Sequence, residues 1–286
     1  MLIKQLRSFL EHHKNEDSKI VVISSGGTAV PLEKNSVRFI ENFSNGTRGA
    51  TSAEKFLEKE YLVIFFHRHN TLQPFSHRFP DLFNHLEISD KNDGTFTAPS
   101  YPRLAEMINL KNKYQKRILM IPFTTYYDYK NDLEIICKEV ASYGKKLCIY
   151  LAAAVSDFYI DSEQLPEHKI PSVHGDLNLK LTMTPKVLGK VVQAVVPDAF
   201  IVSFKLETDP KVLISKSVKA LNEYGHQIVI ANMLKTRKRK VTFVRPNNEI
   251  LELDLDSDEH KNRHDIEIED LIVEELHKLH EDFIRG

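Results

Sequence analysis

Cysteine is almost missing from this 286-residue chain. Cys137 and Cys148 are the only two, and neither belongs to a C-x-x-C pair or a Cys/His cluster. That argues against structural zinc and fits a reducing compartment, so a cytoplasmic location is expected. No apolar run approaches the ~20 residues that a membrane span needs. Met1 to Ser18 is charged and His-rich, lacks the apolar core of a signal peptide, and reads as an amphipathic helix. Charge of one sign is also lacking: 39 Lys and Arg balance 40 Asp and Glu, for a net charge of −1. No global field therefore favours nucleic acid or a membrane, and neither is expected as a partner. Thirteen histidines are present, but His12-His13 and His67/His69 have no convincing ligand spacing, and no metal-binding residue is assigned. Repeats and low-complexity linkers are absent. So are the two commonest nucleotide fingerprints, G-x-G-x-x-G and G-x-x-x-x-G-K-[ST].

What is there reads as α/β. Apolar residues at 42% and charged residues at 28% are ordinary for a soluble globular protein. The length suits one large α/β domain or two small ones; a single domain over 1–286 is expected. Apolar runs at Ile20 to Ile23, Leu62 to Phe66, Ile118 to Ile121, Leu147 to Ala152, Ala199 to Phe204 and Gln227 to Ala231 read as strands. Helical patterns cover Met1 to His13, Thr51 to Lys59, Tyr101 to Tyr114, Lys130 to Tyr143, Pro185 to Val195, Pro210 to Tyr224 and Glu267 to His280. Nearly continuous Val/Ile/Leu strands alternating with helices imply a Rossmann-like, doubly wound, mostly parallel sheet with helices on both faces. Thr208-Asp209-Pro210 is a helix start, and Gly144 and Gly225 fall where helices stop. Two regions break the alternation and are expected to protrude, at about 170–184 and 241–255. Gly175 to Thr184 carries Leu177, Leu179, Leu181 and Met183 at period two, as an exposed or subunit-facing strand. Val241 to Leu255 reads as a hairpin turning at Pro246-Asn247-Asn248. Both would lie outside the main sheet, where they could cover a dimer contact. Phe75 to Ser100 reads as a variable insertion.

Two glycine-bearing loops carry the chemistry. Ile20-Val21-Val22-Ile23 runs into Ser24-Ser25-Gly26-Gly27-Thr28. Asn42-Phe43-Ser44-Asn45-Gly46-Thr47-Arg48-Gly49-Ala50 then leads into a helix. Strand, glycine loop and helix N-terminus form the layout of a nucleotide-phosphate site, although two tight turns would produce the same pattern. In an open parallel sheet ligands bind beyond the carboxyl ends of the strands. Asp157 stands at one such end, Lys205 to Asp209 at another and Asn232 at a third. Asp157 could equally cap a turn, and Lys169 in the Glu167-His168-Lys169-Ile170 loop could be an ordinary solvated lysine or a point charge for a phosphate. The basic run Lys235 to Lys240 reads as a solvated turn or an aid to anion binding.

The motifs, taken in order, resemble phosphopantothenoylcysteine synthetase, the phosphopantothenate–cysteine ligase of coenzyme A biosynthesis. The likeness rests on Ser25-Gly26-Gly27-Thr28, Val37-Arg38-Phe39, Asn42-Phe43-Ser44-Asn45-Gly46 and Arg48-Gly49-Ala50. It continues through Leu151 to Tyr159, Glu167-His168-Lys169-Ile170, Ser203 to Asp209 and Val229-Ile230-Ala231-Asn232. It is closer to the stand-alone eukaryotic type, since Phe43 stands where bacterial forms usually have a basic residue. Asn45 and Thr47 depart from the family's commoner Ser and basic residue.

The resemblance implies an enzyme that joins 4′-phosphopantothenate to L-cysteine using ATP, or CTP as in many bacterial members, with Mg²⁺. It implies that Gly26, Ser44, Gly46 and Gly49 cradle the triphosphate and that Phe204 and Asn232 hold the nucleoside. Asn42, Ala153, Ala154 and Asp157 would hold the phosphopantothenate arm, with Asn42 near the acyl centre. Arg38 would reach the substrate phosphate from the neighbouring subunit of a homodimer. Lys169 would neutralise charge on the α-phosphate during nucleotidyl transfer. Two other readings are an inactive regulatory or scaffold protein of the same fold and an NAD(P)-dependent oxidoreductase of Rossmann type. The second would need a G-x-G-x-x-G and an acid at the end of the second strand, where Phe66-His67-Arg68 stands instead.

Overall fold

Six apolar runs do form one parallel sheet, and a hairpin extends it to eight strands. The computed structural model describes residues 1–15, 17–89, 94–172, 175–185, 189, 193–263 and 265–286. In chain order the strands are β1 (Ile20–Ser25), β2 (Ala29–Pro31), β3 (Phe39–Glu41), β4 (Leu62–Arg68), β5 (Glu87–Ile88), β6 (Phe96–Thr97) and β7 (Ile118–Phe123). They continue as β8 (Leu147–Leu151), β9 (Phe158–Tyr159), β10 (Thr182–Met183), β11 (Phe200–Glu207), β12 (Ile228–Met233), β13 (Lys240–Arg245) and β14 (Glu249–Asp254). The helices are α1 (Leu2–His12), α2 (Thr47–Glu58), α3 (Leu104–Tyr114), α4 (Tyr126–Val140), α5 (Pro210–Tyr224) and α6 (Ile268–Arg285).

The sheet runs β14-β13-β12-β11-β8-β1-β4-β7. Counted over the six parallel strands alone, this is the doubly wound order in which the chain reverses direction across the sheet between its first and fourth strands. Here that switch lies between β1 and β8, which pair in parallel from Ile20 with Leu147 to Ser24 with Leu151. Every residue of β1 is buried, as a strand covered on both faces requires. Val21 and Ile23 pack into one layer with Ala53, Phe56, Leu57, Ile272 and Leu276 of α2 and α6. Ile20 and Val22 point the other way, into a layer with Leu6 of α1 and Leu133 and Ile136 of α4. Alternate residues of one strand thus serve two cores, the period-two consequence of the pleat.

Several boundaries differ from the sequence expectation. Helix α2 begins at Thr47, not Thr51, so the second glycine loop is partly its first turn. Helix α4 begins at Tyr126 because Thr125 and Asp128 form a reciprocal capping box there, which a start at Lys130 overlooks. Helix α5 keeps its expected bounds, with Asp209 as N-cap, Pro210 in its first turn and Gly225 left-handed at its end. The hairpin at 241–255 forms, but it does not stand outside the main sheet. β13 pairs antiparallel with β12 and β14 with β13, burying Val241, Phe243 and Val244. An otherwise open edge of β12 supplies the hydrogen-bond partners. The period-two stretch at 175–184 is not a continuous strand either; only Thr182–Met183 pair, with Phe158–Tyr159. The helix expected at Pro185 to Val195 lies largely outside the described residues. The described part of the insertion holds two short 3₁₀ turns and the β5–β6 ribbon. It is tied to α2 by the buried Glu54 carboxylate, which accepts from the Phe75 N–H and pairs with Arg78 and His77. Among the described residues no helix is long and apolar enough to cross a membrane.

Candidate active site

The first glycine loop leaves β1 at the switch point and is stitched to the loop that leaves β8. Ala154 N–H donates to the Gly26 carbonyl (2.8 Å) and Thr28 N–H to the Ala154 carbonyl (3.1 Å). Ala153 N–H donates to Ser24 Oγ (3.3 Å) and Ser156 N–H to Thr28 Oγ1 (2.9 Å). The small residues between Ala152 and Ser156 therefore lie alongside the glycines. Asn42 joins them from the β3 side, its N–H donating to the Thr28 carbonyl (3.2 Å). A Cβ on Gly27 would fall 1.8 Å from the Asn42 carbonyl oxygen, so this close approach of two backbones requires glycine. The geometry brings Gly26, Asn42, Ala153 and Ala154 into one cluster. Asp157 follows at its exposed rim, with its carbonyl accepting from Thr184 N–H (2.9 Å).

The second glycine loop is the N-terminus of α2. Gly46 takes φ +88° as N-cap and has no side-chain cap bond. Thr47 N–H finds Asn45 Oδ1 (3.3 Å). Among the described residues the N–H groups of Arg48 and Gly49 have no acceptor, as the first turn of a helix dictates, so they are available to an anion. Gly49 has a second job. A Cβ there would sit 2.4 Å from Ser25 Oγ and 2.5 Å from Ser25 Cβ, so its absence lets α2 press against the end of β1. Ser25 Oγ in turn donates to the Gly46 carbonyl (3.1 Å). Ser44, in the second loop, is half-buried.

β11 runs on to Glu207, past the expected end at Phe204, so Phe204 lies inside the strand, while Asn232 is the last residue but one of β12; in register they stand two residues apart. Phe204 is half-buried, and its ring meets Tyr150 edge-on with centroids 5.0 Å apart. Asn232 is buried, and its amide donates to the Ile230 carbonyl (3.0 Å). Arg48, to which sequence reasoning gave no role, ties this end to the glycine loop. Its guanidinium donates to Glu269 Oε1 (2.7 Å), to Asn232 Oδ1 (3.4 Å) and to the Arg237 carbonyl. Burial pushes the Glu269 carboxyl above its ordinary range, with Arg48 pulling it back. The basic run at 235–240 is the turn that follows β12. Arg239 is paired with Asp256, and Lys240 with Glu252 and Asp254.

Arg38 and the backbone next to Lys169 come together at a third place. The Arg38 guanidinium forks onto Glu33 Oε1 (3.0 and 2.7 Å) and donates to the Ile170 carbonyl (2.7 Å). Nε and Nη2 of this guanidinium are thus engaged within its own chain. Lys169 is exposed. The sequence contained no sign that Glu33 would be fully buried, since an acid two residues after a proline reads as a surface loop. Among the described residues no group of three or more His, Cys, Asp and Glu side chains is placed to hold a metal.

Residues 131–279 match the model of the DNA/pantothenate metabolism flavoprotein C-terminal domain. Over 284 residues the chain is 39% identical to the phosphopantothenate–cysteine ligase of Homo sapiens, an alignment that covers 93% of this chain and 88% of the relative. The chain belongs to the phosphopantothenate–cysteine ligase family. Another member, phosphopantothenate–cysteine ligase CAB2 of Saccharomyces cerevisiae, is 38% identical across 99% of this chain and 82% of its own length. A solved structure of a Cab2 variant in complex with phosphopantothenate-cysteine superposes with a TM-score of 0.88 at 39% identity, covering 99% of this chain and 94% of that one. A DNA/pantothenate metabolism flavoprotein from Streptococcus pneumoniae, at 19% identity and a TM-score of 0.63 over 93% of this chain and all of its own, shares the fold.

Proposed function

We propose that the protein joins 4′-phosphopantothenate to L-cysteine in coenzyme A biosynthesis, with ATP converted to AMP and pyrophosphate. One observation carries this reading: a relative that superposes over 99% of the chain was solved with phosphopantothenate-cysteine, the product of that joining. A carboxylate is a poor acyl donor because its leaving group would be an oxide. The pantothenate carboxylate oxygen therefore attacks the α-phosphorus, the bond to pyrophosphate breaks, and an acyl-adenylate results. The cysteine nitrogen then attacks the acyl carbon, the bond to AMP breaks and the ammonium proton is lost to solvent.

In this proposal the N–H groups of the α2 N-terminus, with Gly26, Ser44, Gly46 and Gly49, receive the triphosphate. Phe204 and Asn232 hold the nucleoside, an assignment supported by their place in the C-terminal halves of the neighbouring strands β11 and β12 and by the Arg48 bridge from Asn232 to the glycine loop. Asn42, Ala153, Ala154 and Asp157 hold the phosphopantothenate arm, and Lys169 steadies charge on the α-phosphate in the transition state. Magnesium arriving with the nucleotide would take phosphate and water oxygens as its ligands, which suits described residues that form no acidic cage. The partner is a second copy of the chain. Support comes from Phe39 and Ile40 on β3, Val37 and Phe43 beside it, and Phe158 and Met183 on the β9–β10 ribbon. All six are exposed although apolar, and Phe43 is 92% accessible. Arg38 stands among them and would reach the neighbouring site by exchanging part of its hold on Glu33 for the substrate phosphate.

The test is incubation of the purified protein with Mg²⁺, 4′-phosphopantothenate and cysteine, with ATP and CTP in parallel, followed by mass spectrometry. Phosphopantothenoylcysteine with AMP and pyrophosphate is the expected result. No product with either nucleotide, from a folded sample, would refute the proposal and favour an inactive member of the fold.

A further inference from the structure

One fully buried carboxylate joins the Arg38 guanidinium to the backbone next to Lys169, and the proposed chemistry uses both of those cations. Glu33 Oε2 accepts from the backbone N–H of Val37 (3.3 Å) and Arg38 (3.1 Å). Its Oε1 accepts the Arg38 fork and, at 3.4 Å, the N–H of Ile170. That last N–H belongs to the peptide linking Lys169 to Ile170. The same Arg38 holds the Ile170 carbonyl. On the other side of Lys169, Lys34 N–H donates to the Pro166 carbonyl (2.9 Å), and Asn35 N–H and Nδ2 donate to the Glu167 carbonyl (3.1 and 2.9 Å). The backbone that carries Lys169 is thus bracketed by residues 33–38, and the bracket closes on Glu33. Beneath it Val30, Leu32, Ile160 and Leu165 form a small apolar cluster apart from the layers that flank the main sheet.

We propose that Glu33 is a positioning residue of the ligase site, fixing the Lys169 backbone and the Arg38 guanidinium through one shared carboxylate. This rests on the roles proposed above for those two side chains. A buried acid is costly unless its acceptors are filled, and here five donor contacts fill them. Burial alone would raise the Glu33 pKa, but the Arg38, Val37 and Ile170 hydrogen bonds outweigh it and hold the acid below its ordinary range. It therefore stays charged and acceptor-only. An amide of the same shape cannot replace it, because one end of the amide would turn a donor toward donors.

Glu33→Gln is the test, read by two independent measurements. The first is phosphopantothenate-dependent exchange of pyrophosphate into ATP, which reports the adenylation step. The second is amide hydrogen exchange over residues 166–171. The exchange rate should fall on the order of 100-fold, as for a displaced catalytic group, and the KM for ATP should stay within about twofold, because Lys169 is assigned to the transition state and the ground-state cradle of the triphosphate is the glycine loops. Hydrogen exchange over 166–171 should quicken about tenfold for a lost buried network, while β1, α2 and α6 keep wild-type protection. Glu33→Asp, which keeps the charge, should recover part of both. Wild-type adenylation in Glu33→Gln would overturn the inference, as would unchanged protection of 166–171. Loss of protection throughout the molecule would also overturn it, by making Glu33 a folding residue. If the wild type makes no amide product, the ligase reading itself fails, and the hydrogen exchange still decides whether Glu33 holds the segment.

Discussion

Arg48→Ala probes the buried link between the glycine loop and the far end of the sheet. The Arg48 and Glu269 side chains are 16% and 9% exposed, and their closest atoms are 2.7 Å apart. Removing the guanidinium leaves the Glu269 carboxylate two choices. It can stay charged without a partner, at about 3–5 kcal/mol, or it can take up a proton. Protonating a carboxyl of ordinary pKa 4.5 costs about 1.4 kcal/mol for each pH unit above that value, so about 3.4 kcal/mol at pH 7 and about 0.7 kcal/mol at pH 5. The cheaper choice sets the loss, which should be about 3 kcal/mol at pH 7 and under about 1 kcal/mol at pH 5. The sign follows from linkage. Burial without Arg48 raises the folded-state pKa of Glu269 further, so the folded variant binds more protons than the unfolded chain. Stability then falls as pH rises above the unfolded pKa, and it levels off once pH passes the raised folded pKa. In the wild type Arg48 opposes that shift, so the difference between the two proteins should widen from pH 5 to pH 7. Urea unfolding followed by circular dichroism at pH 5, 6 and 7 measures it. A loss that is the same at all three pH values, or below about 1 kcal/mol at pH 7, would refute the argument by showing that no charged pair is broken. Replacing both partners, Arg48→Met with Glu269→Leu, should restore most of the stability, since neither charge is then left buried.

Other substitutions separate the remaining roles. Gly49→Ala should cost about 1–3 kcal/mol through overpacking against Ser25 and weaken nucleotide binding in a titration; Ser25→Gly in the same chain should recover both, and no recovery would mean that the clash is not the cause. Asn42→Asp should slow the attack of cysteine on the acyl-adenylate more than adenylate formation in single-turnover experiments, and equal slowing would contradict its place at the acyl centre. Lys169→Gln should abolish pyrophosphate release in a folded protein, and Arg38→Ala should raise the KM for phosphopantothenate more than that for ATP. Mixing these last two variants should return some activity through hybrid dimers. None despite proven subunit exchange would count against a shared site.

The sequence by itself determined the class of the fold and which loops follow its parallel strands. Continuous apolar strands such as Ile20 to Ile23 could be satisfied only between two layers, and Asp209-Pro210 and Gly225 marked the bounds of α5 by local backbone chemistry. The glycines were legible because their backbone freedom is a property of the residue itself. What the sequence could not contain was the pairing of distant parts. The hairpin at 241–255 read as a separate feature, but an open edge on β12 captured it, and edge pairing depends on which strand is left unpaired in three dimensions. The even spacing of Leu177 to Met183 suggested a strand, yet a ladder needs a neighbour, and only Thr182–Met183 have one. Tertiary structure alone decided that Glu33 and Glu269 would be buried and Arg48 largely so. A charge can leave water only where partners from far along the chain, such as Ile170 for Glu33 and Asn232 for Arg48, meet it with hydrogen bonds already in place.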